Sequence, residues 1–318
     1  DTDSNRLAEI GDEGVLAMIG DSTNAMVEGR TASEAEAEAG LRKVIAEAKG
    51  RVAISCFSSN VARIQSIIRA AQANDRSVAV VGRAIRRAIS AAQEVGYLRD
   101  LPDFVAEDDI ELLPRENIVI LCTGTQGEPR AAMAKIAAGT HESVTLDPGD
   151  TVVFSSRQIP GNEPAIARVQ DGLIRRKIIL ITDDDAPVHV SGHPSREEMA
   201  EMYGLVRPRI AIPVHGTARH LVAHAELAEH CQVHQTLLPD NGTMIRLARA
   251  GKKGEDAEII DTVKTGALTH EKGKIVEIQS DMMRARRRML WNGVVTGSLV
   301  LNRDGGLCAV PALSLIHI

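Results

Sequence analysis

Two stretches decide how this sequence folds and where its chemistry lies: Val188-His189-Val190-Ser191-Gly192-His193 and Pro213-Val214-His215-Gly216. Each comes after a run of apolar, mainly β-branched residues, at 178–181 and at 210–212. Runs of that kind predict strands, and the small residues that follow predict turns at the rim of a sheet. An imidazole at such a rim can bind a metal ion or transfer a proton. The two stretches therefore predict a metal-dependent or acid–base site.

A ligand cluster of the type H-x-H-x-D-H does not accompany these histidines. The sequence is therefore interpreted as the back half of a metal-dependent site. The chain also opens on Asp1 rather than methionine, and residues 313–318 match a reading frame of a transposase adapter used in sequencing libraries. We expect both ends to be cut, with residues 313–318 a read-through artefact and His317 not a ligand.

The composition is typical of a globular protein, with 44% hydrophobic and 25% charged residues among 318. This length allows two domains. The net charge of −6 excludes a basic protein that coats nucleic acid indiscriminately, so binding of a polyanion must be local. Four cysteines without a C-x-x-C pair predict reduced thiols and a cytoplasmic location. The sequence contains neither a secretory signal nor an apolar run of membrane-spanning length, so no membrane partner is expected.

Between residues 15 and 181, short β-branched runs alternate with amphipathic stretches of helical length. The predicted strands are 15–19, 52–56, 78–81, 118–122 and 152–154. The predicted helices are 31–50, 60–73, 83–94 and 163–176. The first helix should begin at a capping box of Thr31 with Glu34 and end at Gly50. This alternation predicts an α/β protein with a mainly parallel sheet covered by helices.

Three segments depart from this alternation. Residues 97–117 contain prolines and many acidic groups, so we expect a long surface excursion there. Residues 251–256 are typical of a polar linker, and 275–300 combine short strands with the basic stretch 284–288. We therefore predict a boundary near residue 250, followed by the start of a small C-terminal domain.

Polar turns follow several predicted strands and could bind phosphate. Ser59 and Asn60 open a helix, where backbone N–H groups favour an anion. Residues 124–128 have the same placement but do not form a Walker A loop. Ser155 and Arg157 follow a buried strand, and a hydroxyl beside a guanidinium suits an anion. Taken singly, each of these segments is explained at least as well by a structural turn.

The remaining acidic and histidine candidates also have structural explanations. Asp21 ends the first predicted strand, where an aspartate is as often a turn former as a catalytic acid. His189 alternates with His193 and could support the site without binding the metal. His220 and His224 have the i, i+4 spacing of a metal pair, but the H-E-x-x-H pattern is missing, so solvated helix faces are preferred. Solvated faces also explain the basic groups at 83–87, 175–177 and 284–288, although any of them could line an RNA path.

Six of these strings occur in the order seen in one enzyme family. They are Asp21-Ser22-Thr23-Asn24-Ala25, Phe57-Ser58-Ser59-Asn60, Gly124-Thr125-Gln126-Gly127-Glu128-Pro129, residues 155–163, Ser191-Gly192-His193 and Pro213-Val214-His215-Gly216. With them the sequence resembles ribonuclease J, of the β-CASP branch of the metallo-β-lactamase superfamily. Each string is weak alone, but six in this order are specific. The resemblance covers nearly the whole chain to about residue 248.

The resemblance implies a β-CASP domain inserted in a metallo-β-lactamase αββα fold, of which only the C-terminal half is present. Residues 1–25 and 181–248 would belong to the metallo-β-lactamase fold, 26–180 to the β-CASP domain, and 249–312 to a linker and the start of a C-terminal domain. The H-x-H-x-D-H ligands, a further histidine and a metal-bridging aspartate would lie ahead of residue 1. We therefore expect this chain alone to be inactive and its intact parent to be active.

The resemblance also implies an activity. Such enzymes hydrolyse RNA in processing and decay, as 5′–3′ exonucleases on 5′-monophosphorylated ends and as endonucleases. They use two divalent metal ions, here expected to be zinc, with manganese or magnesium as alternatives, which activate water and offset charge on the phosphate. The family acts in the cytoplasm as homodimers or homotetramers.

Residue roles follow from the matching motifs. Asp21 would be an acid near the metals that supports proton transfer. His193 would contact the scissile phosphate or help to protonate the leaving oxygen, and His215 would bind one metal ion. The backbone phosphates would be held by Ser59, Asn60, Ser191 and Gly192.

Three alternatives remain. A catalytically dead homologue could serve as an RNA-binding or assembly subunit, but the presence of Asp21, His193 and His215 counts against it. A nucleotide-binding α/β module would be expected to carry a P-loop or G-x-G-x-x-G, and neither is present. Among enzymes, another β-CASP nuclease is the nearest rival. The strings Gly-Thr-Gln-Gly-Glu and Ile-Pro-Gly-Asn-Glu favour ribonuclease J over the mRNA 3′-processing type.

Overall fold

The computed structural model describes residues 2–247, 257–271 and 273–316. The helices in these ranges are α1 (Ser4–Glu13), α2 (Glu34–Glu47), α3 (Val61–Gln72), α4 (Arg83–Glu94), α5 (Ala132–Ala138), α6 (Glu163–Arg175), α7 (Arg196–Val206), α8 (Ala218–His230) and α9 (Asp281–Asn292). The strands are β1 (Ala17–Asp21), β2 (Val52–Ser55), β3 (Ser77–Val81), β4 (Ile118–Cys122), β5 (Thr151–Phe154), β6 (Ile179–Ile181), β7 (Ile210–Val214), β8 (Gln235–Thr236), β9 (Thr243–Arg246), β10 (Glu258–Thr262), β11 (Leu268–Glu271), β12 (Lys274–Glu277), β13 (Val294–Ser298) and β14 (Ala312–Ile316).

The larger sheet has five parallel strands in the order β3-β4-β2-β5-β6. Its central strands β4, β2 and β5 are buried at every position, as expected for a parallel sheet with helices on both faces. One face packs on α2, α3 and α4 through Leu41, Ile64 and Ile85, and the other on α5 and α6 through Ile136 and Leu173. Burial of each such side chain contributes about 1.5–3 kcal/mol. The predicted α/β class with parallel sheets is confirmed.

The smaller sheet joins parts of the chain that are far apart in sequence. Its order is β1-β7-β8, with all strands parallel, and Asp21 lies opposite Val214. Because β1 precedes the larger sheet in the chain and β7 and β8 follow it, the larger sheet is an excursion between strands of the smaller one. The exact domain boundaries at residues 25, 180 and 248 stay predictions.

Beyond β8 the strands are paired antiparallel: β9 with β10, β11 with β12, and β13 with β14. The basic stretch 284–288 lies on α9 with exposed side chains. The predicted linker at 251–256 lies outside the described residues, as do residues 317 and 318, whereas 313–316 belong to β14. Within the described ranges, no helix has the length and apolar character that a membrane span requires.

The predicted start of α2 is wrong by two residues. The capping box consists of Ser33 and Glu36, because each side chain accepts a hydrogen bond from the other residue's backbone N–H. Thr31 and Glu34 fit the same sequence pattern, but their side chains bind elsewhere in the fold. The helix also ends before Gly50.

The segment between α4 and β4 is only partly a surface excursion. Leu98 and Ile110 are buried in the two cores that flank the larger sheet. The Val105 N–H also donates to the Val78 carbonyl oxygen, which fastens the segment to β3. Isolated apolar residues in an acidic stretch have no periodicity, so the sequence does not reveal these contacts.

Candidate functional site

The carboxyl ends of β1 and β7 bring two of the predicted site residues together. Asp21 is the last residue of β1 and lies opposite Val214, the residue before His215. His215 has a left-handed backbone with φ of 58°, a conformation that residues other than glycine seldom adopt. At Gly216, an added Cβ would lie 2.8 Å from Cβ of His220, so a side chain there would collide. The tight turn therefore requires glycine after His215.

Asp21 connects two histidines that come from different loops. Its Oδ2 lies 2.8 Å from Nδ1 of His193 and 2.9 Å from Nδ1 of His215. The two imidazole rings are stacked, with centroids 5.4 Å apart. His193 lies in the loop between β6 and α7, so three separate segments of the chain converge at one carboxylate.

The charge on Asp21 determines where the protons of the site lie. Burial raises the pKa of Asp21, but hydrogen bonds from the Thr23 backbone N–H and from His193 outweigh burial and lower the pKa to about 2. The carboxylate is therefore ionised at neutral pH and can only accept hydrogen bonds. Nδ1–H is therefore the donor in both the His193 and the His215 contact, and in the described structure Nε2 of each ring has no hydrogen-bond partner.

The arrangement fits a divalent metal ion. One ligand atom from each of Asp21, His193 and His215 lies within 4.8 Å of the others, and this is the metal-competent group found among the described residues. Imidazole nitrogen and carboxylate oxygen are zinc ligands, and a carboxylate behind a ligating imidazole commonly orients it. Three ligand groups would suffice for one open site only if all of them bound the same ion, and they are too few for a centre with two metal ions.

The loop that carries His193 is fastened to the loop after β1. Asn24 donates from its amide to the Ser191 hydroxyl at 3.1 Å and to the His193 carbonyl oxygen at 2.9 Å. The Thr31 hydroxyl donates to the same carbonyl at 3.1 Å. Ser191 also accepts from the His193 N–H, so its own hydroxyl proton stays available. Gly192 is exposed, and no atom lies within 4 Å of the place where its Cβ would be.

His224 is buried, so its interpretation as a solvated residue is wrong. The side chain is 1% exposed and lies beneath the turn that carries Asp21. Its Nδ1 is 2.8 Å from the Ser22 hydroxyl, and its Nε2 is 2.9 Å from the Tyr203 hydroxyl. Gly20 is required above it, since an added Cβ would lie 2.8 Å from the imidazole Cε1. Burial lowers the pKa of His224, so the ring is neutral and can bridge the two hydroxyls.

Tyr203→Phe is expected to destabilise the fold by about 1–3 kcal/mol, because it leaves the buried Nε2 of His224 without its partner. Urea unfolding would measure the loss. Tyr97→Phe is the matched control, since Tyr97 is 78% exposed and should change stability by less than about 0.5 kcal/mol. Equal effects of the two substitutions would contradict a structural role for the Ser22–His224–Tyr203 chain.

Asp21 should also affect acid stability. Its folded-state pKa of about 2 lies below the ordinary value of 3.8, so it stabilises the fold above pH 3.8. That contribution is lost as pH falls from 3.8 toward 2, where the folded state takes up the proton. In EDTA, the free energy of unfolding of Asp21→Asn should therefore fall less than that of the wild type between about pH 5 and about pH 2, the range in which the carboxyl group titrates. Urea unfolding at each pH would measure both. Parallel stability profiles would contradict this.

The predicted phosphate-binding residues of the larger sheet are partly accessible. Ser59 is exposed in the loop after β2. Asn60 caps α3, with Oδ1 accepting from the Arg63 N–H, which leaves its NH2 group available. Arg157 is exposed in the loop after β5, with Nε 3.6 Å from Asp183. Ser59, Asn60 and Arg157 can therefore meet a ligand.

Ser155 is buried and does not face a ligand. Its hydroxyl donates to the Val188 carbonyl oxygen and accepts from Nη1 of Arg63, both at 2.7 Å. Arg63 is itself fully buried, contacts Nδ1 of His189 at 3.3 Å and pairs with Glu34. Burial and the Arg63 charge lower the pKa of His189. Ser155 and His189 thus belong to a polar cluster around Arg63, which sequence patterns do not reveal because its members come from distant segments.

The segment 124–128, which could have been a phosphate-binding turn, has a structural role through Gln126. Its Oε1 accepts from the Ile159 N–H and from the Asn162 amide, and its Nε2 donates to the Arg157 carbonyl oxygen. The turn after β4 therefore shapes the loop after β5. Asn162 precedes α6 in the N-cap position, but its side chain makes no capping hydrogen bond.

Two family models match the chain. Residues 49–173 match "Ribonuclease J, beta-CASP domain", which covers the larger sheet from β2 to α6. Residues 186–236 match "Zn-dependent metallo-hydrolase RNA specificity domain", which includes His193 and His215.

Relatives named ribonuclease J match along almost the whole chain. The protein from Sinorhizobium meliloti is 45% identical over 301 residues, which are 95% of this chain and 52% of that protein. The protein from Mycolicibacterium smegmatis is 40% identical over 314 residues, 98% of this chain and 55% of that protein. The chain therefore spans about half the length of the curated relatives it matches.

A solved structure shares the fold at low identity. The crystal structure of a protein of unknown function from Enterococcus faecalis V583 matches with a TM-score of 0.51 and 14% identity. The match covers 74% of this chain and 53% of that one. At this identity the likeness concerns the fold alone.

Proposed function

Because this chain belongs to the ribonuclease J family, we propose that it carries part of the active site of a metal-dependent ribonuclease. The observation that supports this most directly is the convergence of His193 and His215 on the Asp21 carboxylate. All three residues match the family motifs from which their roles were predicted.

His215 would bind a divalent metal ion through Nε2, because its Nδ1 donates to Asp21. The ion, expected to be zinc, would activate water and offset charge on the phosphate. A second ion would need ligands beyond those the described residues supply. The resemblance implies that such ligands precede residue 1.

His193 would act on the scissile phosphate. Its Nδ1 donates to Asp21, which orients the ring. A proton on Nε2 can then be donated to a phosphate oxygen or to the leaving oxygen. Asp21 thereby orients both imidazoles and supports proton transfer.

The substrate would be RNA, preferentially with a 5′-monophosphate, cut by 5′–3′ exonuclease and endonuclease action. Groups suited to its phosphates include the exposed Ser59, Arg157 and Gly192 and the half-buried Asn60 and Ser191. We further propose a homodimer or homotetramer in the cytoplasm, as the resemblance implies.

The test uses the protein expressed from the complete reading frame that contains this chain. A 5′-monophosphorylated RNA labelled at its 3′ end is incubated with zinc or manganese, and with EDTA. Metal-dependent shortening that EDTA abolishes is expected. RNA that stays intact with every metal, while the protein still binds it, would instead favour the alternative of an RNA-binding subunit.

A further inference from the structure

A basic pocket lies at the carboxyl ends of β3 and β4, on the larger sheet. Its volume is about 610 Å³, and the cationic side chains that line it are Arg83, Arg87, Arg130 and Lys135. We infer that this basic pocket binds backbone phosphates of RNA beyond the nucleotides held at the Asp21 site. The inference rests on the proposed function, because it takes RNA as the ligand.

The charges of the basic pocket are not neutralised by the protein. The four cationic side chains that line it are exposed, and they form no ion pair or hydrogen bond with any part of the chain that the structure describes. Arg86, in contrast, is paired with Glu107, the acidic residue that lines the pocket. Four unpaired cations thus share one concave surface on a protein whose net charge is −6. Such a local positive potential attracts a polyanion.

The backbone adds donors to the same surface. Helix α4 is preceded by Gly82, which has no side chain to cap it, so the first N–H groups of the helix are free to bind an anion. Gly82 has φ of 120°, and an added Cβ would lie 2.9 Å from Oγ1 of Thr123. Only glycine therefore allows the ends of β3 and β4 to approach this closely.

The position of the basic pocket favours RNA over a small anion. In the sheet order, β4 alone separates β3 from β2, so the pocket lies about 10 Å, two strand spacings, from the Ser59 loop along the same edge. A stacked strand rises about 3.4 Å per nucleotide, so roughly three nucleotides cover that distance. No Phe, Tyr or Trp lines the pocket, which suits phosphate contacts without base stacking.

The experiment measures RNA binding by the full chain in EDTA, so that hydrolysis cannot interfere. Fluorescence anisotropy would compare RNAs of about 4 and about 16 nucleotides. The test variant is R83Q/R130Q/K135Q. The control variant R42Q/K43Q/K49Q removes the same charge from exposed residues at the opposite, amino-terminal edge of the sheet. Thermal unfolding verifies that both variants fold, as expected for exposed positions.

The test variant should bind the longer RNA on the order of tenfold more weakly than the control does. Its plot of log affinity against log salt should be shallower by about 2, since each phosphate contact with a single strand contributes about 0.7. The short RNA should bind both variants alike. Equal binding of the longer RNA by the two variants, or an equal loss for both RNAs in the test variant, would overturn the inference and leave the proposed function standing. If the wild type binds neither RNA, the proposed function fails as well.

Discussion

His193→Ala is expected to lower RNA hydrolysis by about 10²–10⁴-fold, the usual effect of losing a general acid or base. The protein is the one expressed from the complete reading frame, and the substrate is 5′-monophosphorylated RNA. The reason is that Nδ1 of His193 is held by the Asp21 carboxylate while its Nε2 stays available for proton transfer. His215, the other histidine at this carboxylate, is assigned to the metal ion. Initial rates at saturating zinc would measure the effect.

The matched variants separate proton transfer from metal binding. His215→Ala should lower zinc affinity about 100-fold or more, whereas His193→Ala should leave it within a few-fold of the wild type. His230→Ala is the control, because His230 is exposed at the end of α8 and contacts only the Glu226 carbonyl oxygen in the described structure. Loss of zinc from His193→Ala equal to that from His215→Ala would contradict the division of roles.

Arg63→Met is expected to destabilise the fold by about 3–5 kcal/mol, because removing one partner of a buried ion pair leaves its other groups uncompensated. Arg63 is fully buried and is the shared donor to Ser155, Val188 and Glu34. It thereby joins α3 and the loop after β5 to the segment that leads to His193. Urea unfolding followed by circular dichroism would measure the loss.

Arg69→Met provides the comparison on the same helix. Arg69 is 59% exposed, and its Nη1 lies 3.9 Å from Glu38, a separation that contributes at most about 1 kcal/mol at a surface. Its substitution should change the free energy of unfolding by less than that amount. If Arg63→Met lowered the free energy of unfolding by no more than Arg69→Met does, the polar cluster around Arg63 would not stabilise the fold.

Local patterns predicted most of the larger sheet. Helix α4 was predicted to its exact bounds, because its apolar residues recur at helical spacing and Gly82 precedes it. The strands β2 and β4 were found because buried parallel strands appear as short, continuous apolar runs. The association of Asp21 with His193 and His215 followed from the family motifs rather than from spacing.

Contacts between distant segments could not be predicted in this way. Thr31 and Ser33 each begin a capping-box pattern. Tertiary contacts of Thr31 with the His193 loop and of Glu34 with Arg63 exclude the box at Thr31. His224 has the sequence context of a surface histidine, because its partners Ser22 and Tyr203 lie on other elements. Burial of such polar groups depends on the tertiary fold, which sequence periodicity does not encode.

Crystals of this chain grown with zinc test the central claim most directly. Anomalous diffraction at the zinc edge locates the ion without any assay of activity. We expect a peak about 2.0–2.1 Å from Nε2 of His215, beside Asp21 and His193. Zinc bound elsewhere in the crystal, with none at His215, would contradict metal binding by His215.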